Sequence, residues 1–323
     1  MTEQQPKFAG SGLPWGEAHQ GLAFAQRRTS LESIRAGLAF LLSPRQRESS
    51  HWQEGSGDGG DVITVTAHLL SRLGEIAFPY FSHTQQRQID ESLDWLEESR
   101  NPEGGWGRRP EVRCDVESTA RAVLALRAYR RQVPEPALRF IRRCRRPDGG
   151  FGAHPGEDLR PRTLEFTALA VRALAEKDGA AEDFLSTRLH ALDDGSPSVS
   201  SRLSALAEIL DCDKSSACLV SKVRHLVSPF SGESVLDQAL LLRSLLRLRN
   251  LWAWTLIASL RATQMADGSW PGPEPTAQCP GAAAEDRKTI ATATAISALA
   301  LGECQPGLYF GSDSPQARRL YES

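Results

Sequence analysis

Two carboxylates stand two residues apart where a helix is predicted to begin, in the stretch DVESTA over residues 115–120. A neighbouring carboxylate raises the pKa of its partner and helps to keep it protonated near neutral pH. A protonated carboxyl can act as a general acid. Asp115 and Glu117 are therefore candidate acid–base residues, and either acid could donate a proton.

A structural role for the same acids also stays open. Glu117 and Glu165 each stand two residues before a Thr-Ala pair, at 119–120 and 167–168. Acidic residues in the first turn of a helix stabilise its free N–H groups and the positive end of its dipole. Because the glutamate recurs in a second repeat, stabilisation of the helix start explains Glu117 as well as catalysis does.

Several polar and aromatic residues are predicted to lie near the same ends of helices, where they could bind a substrate. Arginines there suit a diphosphate or another anion, and aromatic faces stabilise a cation. A lone histidine within a helix, such as His68, is more often a core residue than a ligand. The predicted substrate-binding residues are Trp106, Arg113, Arg160, Arg162, Glu165, Phe166 and His68.

These residues belong to a repeat in which a Gly-aromatic loop precedes a helix rich in threonine and alanine. Clear copies begin with GGWG at 104–107, GGFG at 149–152 and DGSWPG at 267–272, and weaker copies span 51–73, 193–210 and 229–246. The helix after each loop is apolar or small nearly all round, which predicts an inner helix. The segment 84–98 instead carries an apolar stripe among charges, which predicts an outer helix.

Twelve helices are predicted in six pairs, and almost no strand pattern remains. The fold class is therefore all-α. Such pairs could form an open solenoid, and six pairs match the number that closes into an (α/α)6 barrel. We expect an N-terminal arm at 1–29, one barrel at 30–302 and a C-terminal tail at 303–323. The predicted inner helices lie at about 61–74, 114–130, 162–176, 198–210, 233–247 and 287–302.

The three clear Gly-aromatic loops resemble the QW-type repeats of squalene-hopene cyclases and the equivalent loops of protein prenyltransferase β subunits. The resemblance covers about residues 45–302 and implies the barrel of the terpenoid cyclase superfamily. In class II cyclases the matching helix opens with an Asp-Val-Asp-Asp-Thr-Ala type signature, whose middle acid protonates an alkene or epoxide. Glu117 matches that acid, so the resemblance implies that Glu117 donates the proton. Asp115 matches the first acid and would keep Glu117 protonated, and Ser118 replaces the last acid. The resemblance therefore implies protonation-initiated cyclisation of an isoprenoid.

Three features depart from the class II pattern and keep a second function open. Glutamate moves the proton by more than about 1 Å relative to aspartate, and catalysis is sensitive to such a shift. The inner helices are poor in aromatic residues, and only one barrel fits in 323 residues, whereas squalene-type cyclases have two. The alternative is a non-catalytic barrel that binds a protein or a lipid at its mouth or through the basic face Arg139–Arg146.

Composition and spacing argue against several other classes. A zinc prenyltransferase needs an Asp, a Cys and a His late in the chain, but Glu233, Asp237, Asp286 and Lys288 occupy those positions. We predict no metal and no cofactor. With 38 basic and 40 acidic residues, nucleic-acid binding is not expected, while peripheral membrane contact stays open. Six scattered cysteines without a CxxC pair indicate reduced thiols and a cytoplasmic protein.

Overall fold

A computed structural model describes residues 29–43, 51–52, 61–76, 80–157, 163–190, 199–212, 219–220, 234–250, 253–273 and 284–303. Within these ranges all the named elements are helices, and an isolated β-bridge joins Arg145 to Phe151. Apart from Thr29 and Glu303, the predicted N-terminal arm and C-terminal tail lie outside the described residues. The division at 30 and 302 therefore stays a prediction.

The helices alternate along the chain between inner and outer positions. The described residues contain six inner helices and five outer helices, and the remaining predicted outer helix falls between 210 and 234, mostly outside those residues. In chain order the helices are α1 (Ser30–Leu41), α2 (Val62–Leu73), α3 (His83–Glu98), α4 (Val116–Ala128), α5 (Glu135–Arg143), α6 (Thr163–Leu174), α7 (Gly179–His190), α8 (Val199–Leu210), α9 (Val235–Arg247), α10 (Ala253–Thr263) and α11 (Ala284–Glu303).

The inner helices contact one another in a closed circuit. Helix α2 contacts α4, and the contacts continue through α6, α8, α9 and α11 back to α2. The outer helices α3, α5 and α10 each pack between two successive inner helices, and α1 packs against α11 and α10. The all-α prediction is confirmed, and this contact order is that of a ring of helix pairs.

In three of the repeats a loop tryptophan joins the outer helix to the following inner helix through two hydrogen bonds. The indole Nε1–H of Trp106 donates to the Leu96 carbonyl at the end of α3 (2.7 Å), and its backbone N–H donates to Oγ1 of Thr119 in α4 (3.0 Å). Trp52 with Thr66 and Trp270 with Thr292 repeat both bonds. The tryptophan thus satisfies a free carbonyl at a helix end, which explains why the motif couples an aromatic residue to a threonine.

The last loop also connects the end of the chain to its beginning. Gly268 has a φ of +88°, and a side chain there would collide with the backbone of Ala36 in α1. The Gln264 amide donates to the Ser33 carbonyl of α1 at 2.8 Å. Only glycine combines this backbone conformation with so close an approach. These contacts close the outer layer where the first and last repeats meet.

Two further findings concern membrane-spanning helices and the cysteines. Among the described residues, no helix is both long and apolar enough to cross a membrane. The described cysteines Cys114, Cys144 and Cys212 are buried and free.

Candidate functional site

A pocket of about 210 Å³ opens at the N-terminal ends of α4 and α6. The loop before α4 forms one wall, and the loop of the next repeat forms another. The Val116 N–H donates to the Ala153 carbonyl (2.9 Å), and Nδ1 of His154 donates to the Cys114 carbonyl (2.9 Å), so the two loops are held together. The lining residues are Arg108, Val112, Arg113, Asp115, Glu117, Ala153, His154 and Phe166.

Asp115 is the N-cap residue of α4, and its carboxylate lines this pocket. It accepts hydrogen bonds from the Ser118 N–H and hydroxyl, both at 2.8 Å. Thr64 of α2 lies 2.8 Å from the same hydroxyl, and it must be the donor because the Ser118 proton points to Asp115. Burial is the main cause that raises the pKa of Asp115, to about 6, with the charge of Glu117 adding to it and the Ser118 bonds opposing it.

Glu117 lies one turn from Arg121 and forms an ion pair with it. Its Oε1 accepts from Arg121 Nη2 at 3.3 Å and from Nε at 3.4 Å. Arg121 also donates to Nδ1 of His68, so the His68 proton is on Nε2, which faces Oγ1 of Thr294 at 3.3 Å. Burial, reinforced by Arg121, keeps the pKa of His68 well below its usual value. Below the pocket, a neutral histidine therefore supports an arginine that holds Glu117.

The structure brings together only part of the predicted site. Asp115, Glu117, Arg113 and Phe166 share the pocket, whereas Trp106 is fully buried and His68 lies deeper in the barrel. The contacts of Trp106 give it a structural role, so its contact with substrate stays a prediction without support from this pocket. The partly buried Glu165 in α6 does not line the pocket, and Arg160 and Arg162 lie outside the described residues.

A second polar cluster, which the sequence did not predict, lies near the C-terminal ends of the inner helices. Arg72 of α2 donates to Glu208 of α8 at 2.5 Å, and Arg243 of α9 donates to Glu75 at 2.7 Å. Arg172 of α6 bonds both acids. We call this cluster the floor; its members are Arg72, Glu75, Arg172, Glu208, Asp211 and Arg243.

The floor carboxylates are ionised because arginines surround them. Burial would raise the pKa of Glu208, but Arg72 and Arg172 hold it at about 2. In the same way Arg243 and Arg172 overcome burial and hold the pKa of Asp211 well below its usual range. The side chains of Arg72 and Arg243 are each only 1% exposed and that of Asp211 is fully buried, whereas Arg172 and Glu75 are 13% and 20% exposed.

A sequence signal for the floor exists, although it is weak. Arg72, Arg172 and Arg243 each stand in the second half of an otherwise apolar inner helix. A buried charge needs a partner, so three such arginines predict buried acids nearby. The acids themselves are far away in sequence, and their pairing follows only from the closed ring.

The other predictions concern metals and the basic face. In the described part of the chain no group of three or more His, Cys, Asp or Glu side chains is placed to hold a metal. On the face Arg139–Arg146, Arg142 pairs with Glu135 and Glu176, Arg145 with Asp178, and Arg146 with Asp148. Much of this face is therefore neutralised within the chain, and a protein partner there stays a prediction.

Comparison with known proteins relates this barrel to terpene cyclases. No protein-family model matches the chain. A segment of 139 residues is 31% identical to drimenyl diphosphate synthase of Streptantibioticus cattleyicolor, and the match covers 41% of this chain. The chain matches only 26% of the length of that curated relative.

Solved structures match the fold over nearly their whole length. A protein from Actinoplanes has a TM-score of 0.63 at 16% identity, with 85% of this chain and 100% of that chain covered. The ligand-free type II terpene cyclase MstE from Scytonema has a TM-score of 0.61 at 19% identity, covering 84% of this chain and 97% of MstE. Another MstE structure, with a TM-score of 0.56 at 17% identity over 89% and 98%, holds its substrate geranylgeranyl dihydroxybenzoate. These matches confirm, at the level of the fold, the resemblance to the terpenoid cyclase superfamily.

Proposed function

We propose that this chain, which has the fold of type II terpene cyclases, cyclises an isoprenoid with a proton from Asp115. The reaction takes place in the pocket at the N-terminal ends of α4 and α6, which we call the mouth pocket. The observation that carries the proposal is Asp115, a buried acid in the pocket wall two residues from a second acid. Burial raises the pKa of Asp115 to about 6. A general acid is most effective when its pKa lies near the working pH. The match of nearly all of MstE also supports a single-barrel cyclase.

The proposed roles of the two acids reverse those expected from the sequence. Glu117 occupies the position of the cyclase acid, but its ion pair with Arg121 favours the ionised form. Asp115 has no arginine at hydrogen-bond distance among the contacts that are described. The charge of Glu117 raises the pKa of Asp115, and the charge of Arg108 opposes this to a smaller extent. We therefore assign proton donation to Asp115 and place Glu117 as the fixed negative charge that keeps Asp115 protonated.

The proposed first step moves one proton and forms one cation. The Asp115 carboxyl transfers its proton to an alkene carbon, and the alkene π electrons form the new C–H bond. The resulting tertiary carbocation is attacked by the next alkene of the chain, and loss of a proton ends the cyclisation. Phe166 lines the pocket and offers an aromatic face to the cation. Asp115 is left as a carboxylate and must recover a proton before the next turnover.

Two arginines in the mouth pocket support a substrate with an anionic head group. Arg108 and Arg113 line the same pocket as the two acids. Guanidinium groups bind phosphate and carboxylate oxygens well. The curated relative is named for a diphosphate, and the MstE substrate is a prenylated dihydroxybenzoate. A prenyl chain attached to a diphosphate or an aromatic acid is thus the proposed substrate.

The test is a product search with matched variants. Purified protein is incubated with prenyl diphosphates, squalene and prenylated aromatic acids, and cyclised products are sought by mass spectrometry. We expect cyclisation by the wild type and by Asp237→Asn, which changes a buried acid at the start of α9, away from the pocket. Asp115→Asn should be inactive, since an amide cannot supply an acidic proton. Full activity in Asp115→Asn would remove this residue from the mechanism.

A non-catalytic lipid-binding barrel is the second candidate. The ion pair between Glu117 and Arg121 favours this second candidate, because the arginine neutralises the residue at the cyclase acid position. If the barrel only binds a lipid, prenyl ligands should bind with equal affinity to the wild type and to Asp115→Asn, and neither protein should form a product.

A further inference from the structure

A histidine lines the mouth pocket together with the two acids. Nδ1 of this residue, His154, lies 2.9 Å from the Cys114 carbonyl. A carbonyl oxygen can only accept, so Nδ1 carries a proton, and in the neutral ring Nε2 keeps its lone pair. Cys114 directly precedes Asp115 in the chain. The hydrogen bond therefore ties the imidazole to the residue next to the proposed proton donor.

The Nε2 atom of His154 is available to a substrate. Among the residues that the structure describes, the contacts of this side chain are limited to the Nδ1 bond, so Nε2 has no protein partner there. The residue is partly exposed, and its ring forms part of the pocket wall. An imidazole that is oriented through one nitrogen and bare at the other is the usual arrangement of a histidine base.

Hydrogen bonds on both sides of His154 hold its loop in place. The Val116 N–H donates to the Ala153 carbonyl at 2.9 Å, and the His154 N–H donates to Oε2 of Glu157 at 3.1 Å. The Arg146 guanidinium in turn donates to the Glu157 carbonyl at 2.5 Å. The ring thus has a fixed position relative to the start of α4, and a fixed base accepts a proton without first being ordered.

The proposed cyclisation needs a base, because loss of a proton from the last cation ends it. The arginines of the pocket are cations and have no lone pair to offer. Glu117 is held in an ion pair with Arg121, and an ion-paired carboxylate is a poor proton acceptor. The Asp115 carboxylate lies at the carbon that it protonated, whereas the cation moves along the substrate as a ring forms. His154, which belongs to the loop of the next repeat, is the remaining proton acceptor in the pocket lining.

We propose that His154 is the catalytic base that ends the cyclisation. The inference rests on the proposed function, because it takes a carbocation to form in the mouth pocket. Nε2 of His154 removes a proton from a carbon next to the cationic carbon, and the electrons of the broken C–H bond form the new alkene. The resulting imidazolium passes its proton to the Asp115 carboxylate, directly or through water. Donor and base both return to their starting states, and the product is an isomer of the substrate.

The test separates the base from the loop contact. In His154→Asn the side-chain amide nitrogen has the same bond position as Nδ1 and can still donate to the Cys114 carbonyl, but nothing replaces Nε2. Without the base, water captures the cation and an alcohol forms. The same panel of prenyl substrates is incubated in water labelled with heavy oxygen, and mass spectrometry gives the ratio of cyclic alkene to labelled alcohol. We expect this ratio to fall at least about tenfold, since a positioned base accelerates proton transfer by about 10²–10⁴-fold.

Chemical rescue shows whether the lost group is a base. His154→Ala leaves space for an imidazole molecule, so free imidazole should restore the alkene in this variant and not in His154→Asn. The matched control is His190→Ala in α7. Nδ1 of His190 also bonds a backbone carbonyl, that of Ser186 at 2.6 Å, but His190 does not line the pocket. This control should give the wild-type ratio with and without imidazole.

A measurement on the wild type does not depend on the folding of any variant. Nitrogen NMR of protein with labelled histidine, assigned with His154→Asn or with a neighbouring-residue label, should show a neutral ring that is protonated on Nδ1 and bare on Nε2. A neutral ring protonated on Nε2 would overturn the inference, because such a ring has no lone pair facing the pocket.

The turnover results distinguish the base from the proposed function. An unchanged alkene ratio in folded His154→Asn overturns the inference and leaves the proposed function standing, with Asp115 then taking back its own proton. Loss of alkene in His154→Ala that imidazole does not restore assigns His154 to the loop contact alone and also overturns the inference. Absence of any cyclic product from the wild type would overturn the proposed function, and the base with it.

Discussion

The mouth and the floor of this barrel contain buried carboxylates in opposite electrostatic surroundings. At the mouth, burial and the charge of Glu117 raise the pKa of Asp115 to about 6. At the floor, Arg72 and Arg172 overcome burial and hold the pKa of Glu208 at about 2. Burial favours the neutral acid in both places, so neighbouring charges decide the outcome. The mouth can thus exchange a proton near neutral pH, while the floor stays ionised and holds helices together.

The largest effect should come from breaking the floor. Glu208→Leu leaves Arg72 and Arg172 with fewer acids in a buried site and should lower the free energy of unfolding by about 3–5 kcal/mol. Glu176→Leu removes an exposed acid and should change it by less than about 1 kcal/mol. Urea denaturation of both variants measures the difference. Equal, small losses would mean that the floor does not stabilise the ring.

A smaller effect on stability is expected at Glu117, which lines the mouth pocket beside Asp115 but, like the floor acids, is paired with an arginine. Glu117→Gln removes a charged acceptor from Arg121 and should cost about 1–3 kcal/mol. It also removes a negative charge near Asp115, so the pKa of Asp115 should fall. Denaturation and an NMR titration of labelled aspartate give the two quantities. A rise in the Asp115 pKa would contradict the roles assigned to the two acids.

The smallest effect on stability is expected for Asp115→Asn, because asparagine caps helices about as well as aspartate. We expect a change below about 1 kcal/mol at pH 4, where the wild-type carboxyl is protonated. The folded pKa of about 6 exceeds the reference value of 3.8, so the folded protein binds the proton more tightly than the unfolded chain. Wild-type stability should therefore fall as the pH rises from 3.8 to 6, and the variant should lack this slope. Identical pH slopes in the two proteins would exclude a raised pKa.

The fold was predictable because its signal is local and repeated. The predicted inner helix at 114–130 is α4, Val116–Ala128, and the one at 162–176 is α6, Thr163–Leu174. A Gly-aromatic loop marks each start, and its hydrogen bonds to threonine are made within about 20 residues. Helix boundaries set by such short-range contacts can be read from the sequence.

Part of the candidate site was predicted from the sequence. The part that was not predicted depends on contacts between residues that are far apart in the sequence. The DVESTA stretch located the mouth, since both acids lie in one short segment. The roles of the acids depend on Arg121, whose position beside Glu117 is visible in the sequence, and on burial, which is not. The floor depends on contacts such as Arg72 with Glu208, 136 residues apart, which exist only after the ring closes.

The most direct test of this account is a measurement of the Asp115 pKa itself. Infrared difference spectra of the wild type minus Asp115→Asn, recorded across a pH series, isolate the protonated carboxyl of this residue. We expect the band to disappear with a midpoint near pH 6. A midpoint at or below 3.8, the ordinary value for an aspartate, would mean that Asp115 is ionised near neutral pH and would contradict its role as proton donor.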